Sequence, residues 1–307
     1  MGFFEIQLEV TSNCKLRCVH CSSEPIIKSG FSTINYPIKH IHGFINQLVS
    51  ETDQGSIYFT GGEPLLCKDL LKILEDIKKN NLKVKLGLFS SGVTFNKENK
   101  IIPLNCEYVE KLRAAGLTNV NLSVYSHISS HHDRIVGETG AFDAMLQTAT
   151  ELKKHSIDVY FNVVINRLNC NSLFEIIALA KQTNAKGVRF LKLVRHGRAI
   201  DNWNMIGLSY EEQEIAILSL LELDDYREHY ITVAGFPHLA PCRPNEAAVG
   251  CQAGKCFFYV DLFGNIYPCG CTKNNEKHLI GTLSQSDTVT ELLGNFKDVR
   301  YNCYCME

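Results

Sequence analysis

The segment Ser12–Cys21, SNCKLRCVHC, holds three cysteines directly after a stretch of alternating polar and apolar residues. Cys14, Cys18 and Cys21 have the spacing C-x3-C-x2-C. Thiolates at this density bind zinc or iron–sulfur clusters, and both kinds of site usually have four ligands. The segment therefore predicts a cluster with one iron open to an exogenous ligand. The alternative is a zinc site whose fourth ligand is more remote, with His20 as a candidate.

The composition predicts a single chain with one large core and a smaller appended unit. It has 307 residues, of which 45% are hydrophobic, and its 31 Lys and Arg nearly balance its 33 Asp and Glu. Because phosphate binding usually needs a basic excess, the net charge of −2 disfavours a nucleic-acid partner. No apolar stretch approaches the roughly 18 residues of a membrane span, and no signal peptide is visible. We expect a cytoplasmic protein that does not contact a membrane.

Thirteen cysteines in a reducing compartment favour metal binding over disulfides. Three lie within residues 14–21 and seven within residues 242–305. Cys67, Cys106 and Cys170 stand alone, and we expect them to be small buried side chains.

Strand-like and helix-like segments alternate through the first two-thirds of the chain, which predicts an α/β fold with a parallel sheet. Six such units fit a partial (β/α)6 barrel better than a closed eight-unit barrel, and functional residues should follow the strands. We expect a core over residues 1–199, a bridging helix and strand over 200–235, and a small cysteine-rich unit over 236–307. The predicted strands are 5–11, 56–60, 83–89, 119–125, 158–165, 187–194 and 231–234, and the predicted helices are 37–50, 66–80, 108–115, 142–155, 172–182 and 210–223.

A second motif follows the second predicted strand. Tyr58–Pro64 reads YFTGGEP, in which the two glycines allow close backbone approach to a ligand and the glutamate offers a hydrogen-bond acceptor. Alone, this segment would also fit an ordinary turn. One strand after C-x3-C-x2-C, it resembles the radical S-adenosylmethionine (SAM) superfamily, and this resemblance covers residues 3 to about 199.

The resemblance implies that Cys14, Cys18 and Cys21 hold a 4Fe–4S cluster whose open iron binds the amino and carboxylate groups of SAM. It further implies that an electron from the cluster cleaves SAM to a 5′-deoxyadenosyl radical, which abstracts a hydrogen from substrate. His20 stands where the family usually has an aromatic residue. The residues that match the family segment for the methionine amine are Gly61, Gly62, Glu63 and Pro64.

Polar residues at the ends of later strands resemble the family's ribose and carboxylate contacts, although each also fits a plain turn. They are Ser90, Ser91, Ser123 and Asn162. The segment HHDRIVGETG resembles one in the peptide-modifying branch of the family, with Val136 in the place of the usual arginine. Arg134 is therefore the expected partner of the SAM carboxylate, and the alternative is that His132 and Asp133 cap a helix.

The C-terminal segment resembles the SPASM and twitch extensions of this superfamily. Cys251, Gly264 and Cys269 fit the pattern C-x(9–15)-G-x4-C, and DLFGN predicts a tight hairpin. The resemblance implies at least one auxiliary 4Fe–4S cluster. One cluster is favoured over two, a zinc ribbon is the alternative, and an unligated cysteine would instead suit hydrogen-atom donation. The candidate ligands are Cys251, Cys269, Cys303, Cys305, Cys271 and Cys256.

These features predict a radical SAM enzyme that forms a thioether, an epimer or a crosslink in a ribosomally made peptide. The alternatives are radical modification of a nucleoside, sugar or cofactor precursor, and a non-catalytic metal scaffold. We expect a reductase such as flavodoxin or ferredoxin as electron donor. Because the chain starts at the first barrel strand, a separate protein is expected to present the peptide, unless the substrate is short. The sequence assigns no catalytic residue.

Overall fold

The computed structural model describes residues 3–23, 30–52, 54–81, 83–236 and 251–283, and shows a mixed α/β fold built on a ten-stranded sheet. The strands are β1 (Phe3–Thr11), β2 (Gln54–Gly61), β3 (Val84–Ser90), β4 (Thr94–Phe95), β5 (Ile101–Ile102), β6 (Leu117–Ser123), β7 (Asp158–Ile165), β8 (Val188–Lys192), β9 (Ile231–Ala234), β10 (Phe257–Val260), β11 (Asn265–Tyr267) and β12 (Gly281–Thr282).

The sheet has the strand order β12-β11-β10-β1-β2-β3-β6-β7-β8-β9, and β4 pairs with β5 separately. Every pair from β10 to β9 is parallel, which confirms the predicted parallel sheet. Two short strands extend it at its edges, and the first of them, β9, forms at the residues predicted from the sequence. β9 pairs with β8 at one edge, and β10 pairs with β1 at the other. The predicted hairpin of β10 and β11 thus continues the main sheet.

Helices connect the parallel strands. They are α1 (Lys39–Glu51), α2 (Leu70–Asn80), α3 (Cys106–Ala114), α4 (Ser129–Val136), α5 (Ala141–Lys154), α6 (Leu173–Gln182), α7 (Arg198–Asp201), α8 (Trp203–Ile206), α9 (Tyr210–Leu221) and α10 (Asp224–Arg227). Among the helices in the described part of the chain, none is long and apolar enough to cross a bilayer.

The helix predicted over 66–80 starts later than expected. Pro64–Leu66 form a separate 3-10 turn, and α2 begins only at Leu70. The Glu63 carboxylate accepts a hydrogen bond from the backbone N–H of Leu65, which caps this turn and separates it from α2.

The sequence analysis also missed α4. Asp133 lies on α4, and its carboxylate accepts hydrogen bonds from the backbone N–H groups of Gly140 and Phe142 at the start of α5. Asp133 therefore caps α5, which confirms the capping alternative for this residue.

The two faces of the sheet differ in polarity. Successive side chains of a strand point to opposite faces, so β1 places an apolar set on the helix side and a polar set on the other. The apolar members of β1, all buried in the core, are Phe4, Ile6, Leu8 and Val10. The polar members are Glu5, Gln7, Glu9 and Thr11, of which Gln7 lines a cavity. Parallel sheets are normally apolar on both faces, so a polar face marks a binding site.

Candidate functional site

A cavity of about 390 Å3 opens at the carboxyl ends of the parallel strands. It brings together residues that are distant in sequence, including thiols from both ends of the chain. The sequence-predicted residues that line it are Cys14, Cys18, Cys21, Gly61, Gly62, Glu63, Ser90, Ser91, Ser123, Asn162, Cys251, Cys269 and Cys271. Its position agrees with the rule that ligands of parallel α/β sheets bind beyond the carboxyl ends of the strands.

The glycines of GGEP let the end of β2 lie directly against the start of the cysteine loop. The backbone N–H of Gly62 donates to the Thr11 carbonyl at 2.8 Å, and that of Glu63 donates to the Asn13 carbonyl at 2.7 Å. A Cβ on Gly61 would lie 2.3 Å from the Thr11 oxygen, and Gly61 also has a φ of +124°. The same addition at Gly62 would lie 2.3 Å from the Asn13 oxygen. Only glycine fits here, because the close neighbour is backbone.

Glu63 is buried and held by donors from β3 and from its own turn. One carboxylate oxygen accepts from the Ser90 hydroxyl at 2.6 Å and from the Leu65 N–H at 3.1 Å. The other accepts from the Ser91 N–H at 2.8 Å and from the Ser91 hydroxyl. Burial raises the pKa of Glu63, while the hydrogen bonds from Ser90 and Ser91 oppose that rise. The two serines therefore orient the carboxylate at the cavity wall.

The segment after β8 holds the cysteine loop from the other side. The Arg198 guanidinium donates to the Cys18 carbonyl at 2.9 Å, and the Arg198 N–H donates to the Cys21 carbonyl at 2.9 Å. Asn202 donates to the Val19 carbonyl at 2.9 Å. Gly197 has a φ of +58°, and a Cβ there would lie 2.5 Å from the Cys21 oxygen. The sequence analysis did not predict these hydrogen bonds, which join residues about 180 positions apart.

Burial also governs the thiols of the loop. It raises the pKa of Cys14 to about 12, with the Glu63 carboxylate as the second cause, and raises that of Cys18 well above its usual value. A metal that binds these sulfurs must displace their protons. The loop thus presents three thiols to the cavity, which is a donor set suited to soft metal centres.

Residues 8–180 match the family model of the radical SAM superfamily. The chain belongs to the radical SAM superfamily. It is therefore an enzyme of a family that uses SAM and a 4Fe–4S cluster. The three thiols of the loop next to GGEP are suitable ligands for such a cluster.

Two relatives cover most of the chain. AdoMet-dependent heme synthase of Methanosarcina barkeri is 27% identical over 281 residues, which are 86% of this chain and 76% of that protein. PqqA peptide cyclase of Methylocella silvestris is 24% identical over 265 residues, 85% of this chain and 66% of that protein. The crystal structure of Streptococcus suis SuiB bound to precursor peptide SuiA shares the fold. It has a TM-score of 0.68 and 15% identity, and the match covers 98% of this chain and 66% of SuiB.

A row of aromatic rings borders the N-terminal cysteines of this radical SAM protein. The His20 and Tyr125 rings meet edge to face with centroids 4.4 Å apart, and Tyr125 stacks on His132 at 5.8 Å. Burial lowers the pKa of His20 to about 4, so this imidazole is neutral near pH 7. His20 Nδ1 is buried without a hydrogen-bond partner among the described residues. His20 and Tyr125 both line the cavity, and the sequence offered no signal for Tyr125.

Three C-terminal cysteines line the same cavity as the N-terminal loop, namely Cys251, Cys269 and Cys271. Contact with the Cys271 thiol is the main cause that raises the pKa of Cys269 well above its usual value, and burial adds to it. Cys256 is buried but is not part of the cavity lining. The predicted ligands Cys303 and Cys305 lie outside the described residues.

Two further predicted residues are not among those that line the cavity. Arg134 is exposed on α4, and its neighbour Val136 lines the cavity instead. Pro64 is buried in the 3-10 turn, where it occupies the first position and supports the Glu63 geometry.

A buried ionic group connects the C-terminal segment to β1 and to the end of the cysteine loop. Lys273 Nζ donates to Ser23 Oγ at 2.7 Å and lies 4.0 Å from a carboxylate oxygen of Glu9. Tyr259 of β10 donates its hydroxyl hydrogen bond to the same Glu9 oxygen. Burial raises the pKa of Glu9, and Lys273 and Tyr259 oppose that rise. Ser23, Tyr259 and Lys273 line the cavity, so this group joins the hairpin, β1 and the cysteine loop.

This geometry predicts strong coupling between Glu9 and Lys273 in the free energy of unfolding. Lys273→Met leaves a buried carboxylate without its cation, which should cost about 3 kcal/mol. Adding Glu9→Gln removes the unpaired charge, so the double variant should lose less than the two single variants combined. Chemical denaturation of all four proteins measures this cycle.

Lys255→Met is the matched control, because Lys255 is exposed on the same C-terminal segment. It should change the unfolding free energy by less than about 0.5 kcal/mol. Additive losses in the Glu9 and Lys273 variants would show that the pair does not interact.

Proposed function

We propose that this protein is a radical SAM enzyme that modifies a ribosomally made peptide, with a second metal centre in its C-terminal region. One observation carries this proposal. A single cavity is lined both by three N-terminal thiols beside GGEP and by three C-terminal thiols. When bound, SAM and the N-terminal cluster supply a 5′-deoxyadenosyl radical that abstracts a hydrogen from substrate.

The spacing of the N-terminal thiols favours a cluster over zinc. Ligand sulfurs on one tetrahedral zinc lie about 3.8 Å apart. The sulfurs of Cys14, Cys18 and Cys21 are absent from the described groups whose ligand atoms all lie within 4.8 Å of one another. A polynuclear cluster suits more widely spaced thiols, because each sulfur binds a different iron.

In this proposal, the GGEP wall receives SAM. The anchored Glu63 carboxylate accepts hydrogen bonds from the methionine amine, and Ser90 and Ser91 act through Glu63 by fixing its orientation. Asn162 offers an Oδ1 atom that is buried without a hydrogen-bond partner among the described residues, which suits a hydroxyl donor such as a ribose. Ser123 lines the cavity on the neighbouring strand. Arg134 is left out of the proposed SAM site because it is exposed on α4.

We further propose an auxiliary 4Fe–4S cluster bound by Cys251, Cys269 and Cys271 together with Cys303 or Cys305. The C-terminal unit would then be of the SPASM or twitch type, appended over residues 236–307 to a partial (β/α)6 barrel over residues 1–199, with 200–235 between them. The buried Cys256 is a weaker candidate, since its thiol is not among the residues lining the cavity.

A peptide is the favoured substrate class because PqqA peptide cyclase, whose name states its substrate, aligns with 85% of this chain. The similarity to AdoMet-dependent heme synthase supports the second candidate, which is a small metabolite. The cavity of about 390 Å3 is the size of a small-ligand pocket, so only one or two residues of a peptide substrate would enter it. A flavodoxin or ferredoxin is the proposed electron donor.

Replacing a loop cysteine should abolish SAM cleavage. Cys18→Ala removes one of three protein ligands, so 5′-deoxyadenosine formation by the anaerobically reconstituted, reduced protein should fall at least about 100-fold. Cys251→Ala should still cleave SAM but fail to modify substrate, because only the auxiliary centre is affected. Chromatography of 5′-deoxyadenosine measures both variants.

The control is Cys170→Ala, a lone cysteine that is not part of the cavity lining, and it should cleave SAM at the wild-type rate. Wild-type cleavage by Cys18→Ala would refute the cluster assignment.

The hydroxyls of Ser90 and Ser91 should set the pH range of SAM binding. The double variant Ser90→Ala, Ser91→Ala removes two hydrogen bonds that favour the ionised Glu63, so the pKa of this carboxyl should rise further. Because amine binding needs the carboxylate, SAM affinity should weaken first at acid pH. The acid limb of the binding curve should move to higher pH by about 1.5 units, from two hydrogen bonds of about 1 kcal/mol each.

Calorimetric titration with SAM across pH measures this shift in the reconstituted protein. Ser219→Ala on α9 removes a hydroxyl bonded within its own helix and should leave the curve unchanged. Superimposable acid limbs for the double variant and the wild type would contradict the role given to Glu63.

A further inference from the structure

The facing ends of α3 and α5 carry a second group of metal-binding side chains, away from the cavity. We propose that Cys106, Glu110 and His155 bind a zinc ion at this surface, with the fourth coordination position taken by water. Cys106 and Glu110 lie one turn apart at the start of α3, and His155 directly follows the last turn of α5. The prediction that Cys106 is a buried core residue is wrong, because its side chain is exposed.

The distances match those of a tetrahedral zinc site. Zinc bonds of 2.0 to 2.3 Å place neighbouring ligand atoms about 3.3 to 3.8 Å apart. Cys106 Sγ lies 3.5 Å from His155 Nε2 and 3.7 Å from Glu110 Oε1. The ligand atoms of Cys106, Glu110 and His155 all lie within 4.8 Å of one another.

The donor types select the metal. A thiolate with an imidazole favours zinc over magnesium and calcium, which prefer sets made only of oxygen. One thiol, one imidazole and one carboxylate supply three of the four ligands of a tetrahedral zinc, and water fills the fourth position.

The proposed ion would join segments that are distant in sequence but already packed together. Close to the site, the Leu104 N–H donates to the Thr148 hydroxyl at 2.9 Å, linking the approach to α3 with α5. A zinc ion would add a link between Cys106 and His155, 49 residues apart. Its effect would be to fix the last turn of α5 against the first turn of α3.

The first test is the zinc content of cluster-loaded protein, in which the cavity cysteines are already occupied. After incubation with zinc sulfate and desalting, wild type should retain one zinc per chain above a no-zinc sample, measured by mass spectrometry of the metals. Cys106→Ala and His155→Ala should retain none, and Cys170→Ala should behave as wild type. Equal zinc retention in all four proteins would overturn the proposal.

The second test follows the Cys106 thiol itself. Zinc at 100 times its dissociation constant leaves about 1% of the site free, so alkylation of Cys106 by N-ethylmaleimide should slow about 100-fold. Peptide mass spectrometry of wild type measures this rate, with magnesium as the matched ion that should give no protection. An alkylation rate that is the same with and without zinc would overturn the proposal even if zinc is retained elsewhere. Neither result depends on SAM cleavage.

Discussion

Two backbone hydrogen bonds, from Gly62 to Thr11 and from Glu63 to Asn13, position the rest of the site. They tie the end of β2 to the start of the cysteine loop at a distance that leaves no room for a side chain on Gly61 or Gly62. Any larger residue would push the loop away from the cavity wall. The position of GGEP at the end of β2 and the position of the cysteines after β1 are therefore linked, because the two segments must pack backbone against backbone.

From this contact the site extends across the neighbouring strands in both directions. The Glu63 carboxylate accepts hydrogen bonds from Ser90 and Ser91 at the end of β3. Arg198 donates a hydrogen bond to the cysteine loop from the segment after β8. Lys273 links Ser23 after that loop to Glu9 on β1. A buried ion pair contributes little net stability against a hydrophobic replacement. Its value here lies in orientation, since it keeps the C-terminal hairpin in register with the wall that carries the N-terminal thiols.

Local patterns in the sequence predicted what depends on local structure. The strands Asp158–Ile165 and Ile231–Ala234 form at the predicted residues, because an alternating or compact apolar run fixes a buried strand. The start of α2 was misplaced because a side-chain cap at Glu63, invisible in hydrophobic periodicity, inserts a separate turn. The glycines of GGEP were predicted to allow the backbone to approach a ligand closely. In the structure they allow the end of β2 to approach the backbone of the cysteine loop. The Glu9, Tyr259 and Lys273 group was missed because it joins residues about 250 positions apart, for which a single sequence carries no signal.

The account rests on iron held by the three N-terminal thiols, and metal analysis combined with electron paramagnetic resonance tests this most directly. Anaerobically purified and reconstituted protein should be brown and contain about four iron and four sulfide or more per chain. After reduction, its resonance signal should change when SAM is added, because SAM binds the iron that lacks a cysteine. A colourless protein that holds zinc at Cys14, Cys18 and Cys21, with no iron or sulfide there, would contradict the account.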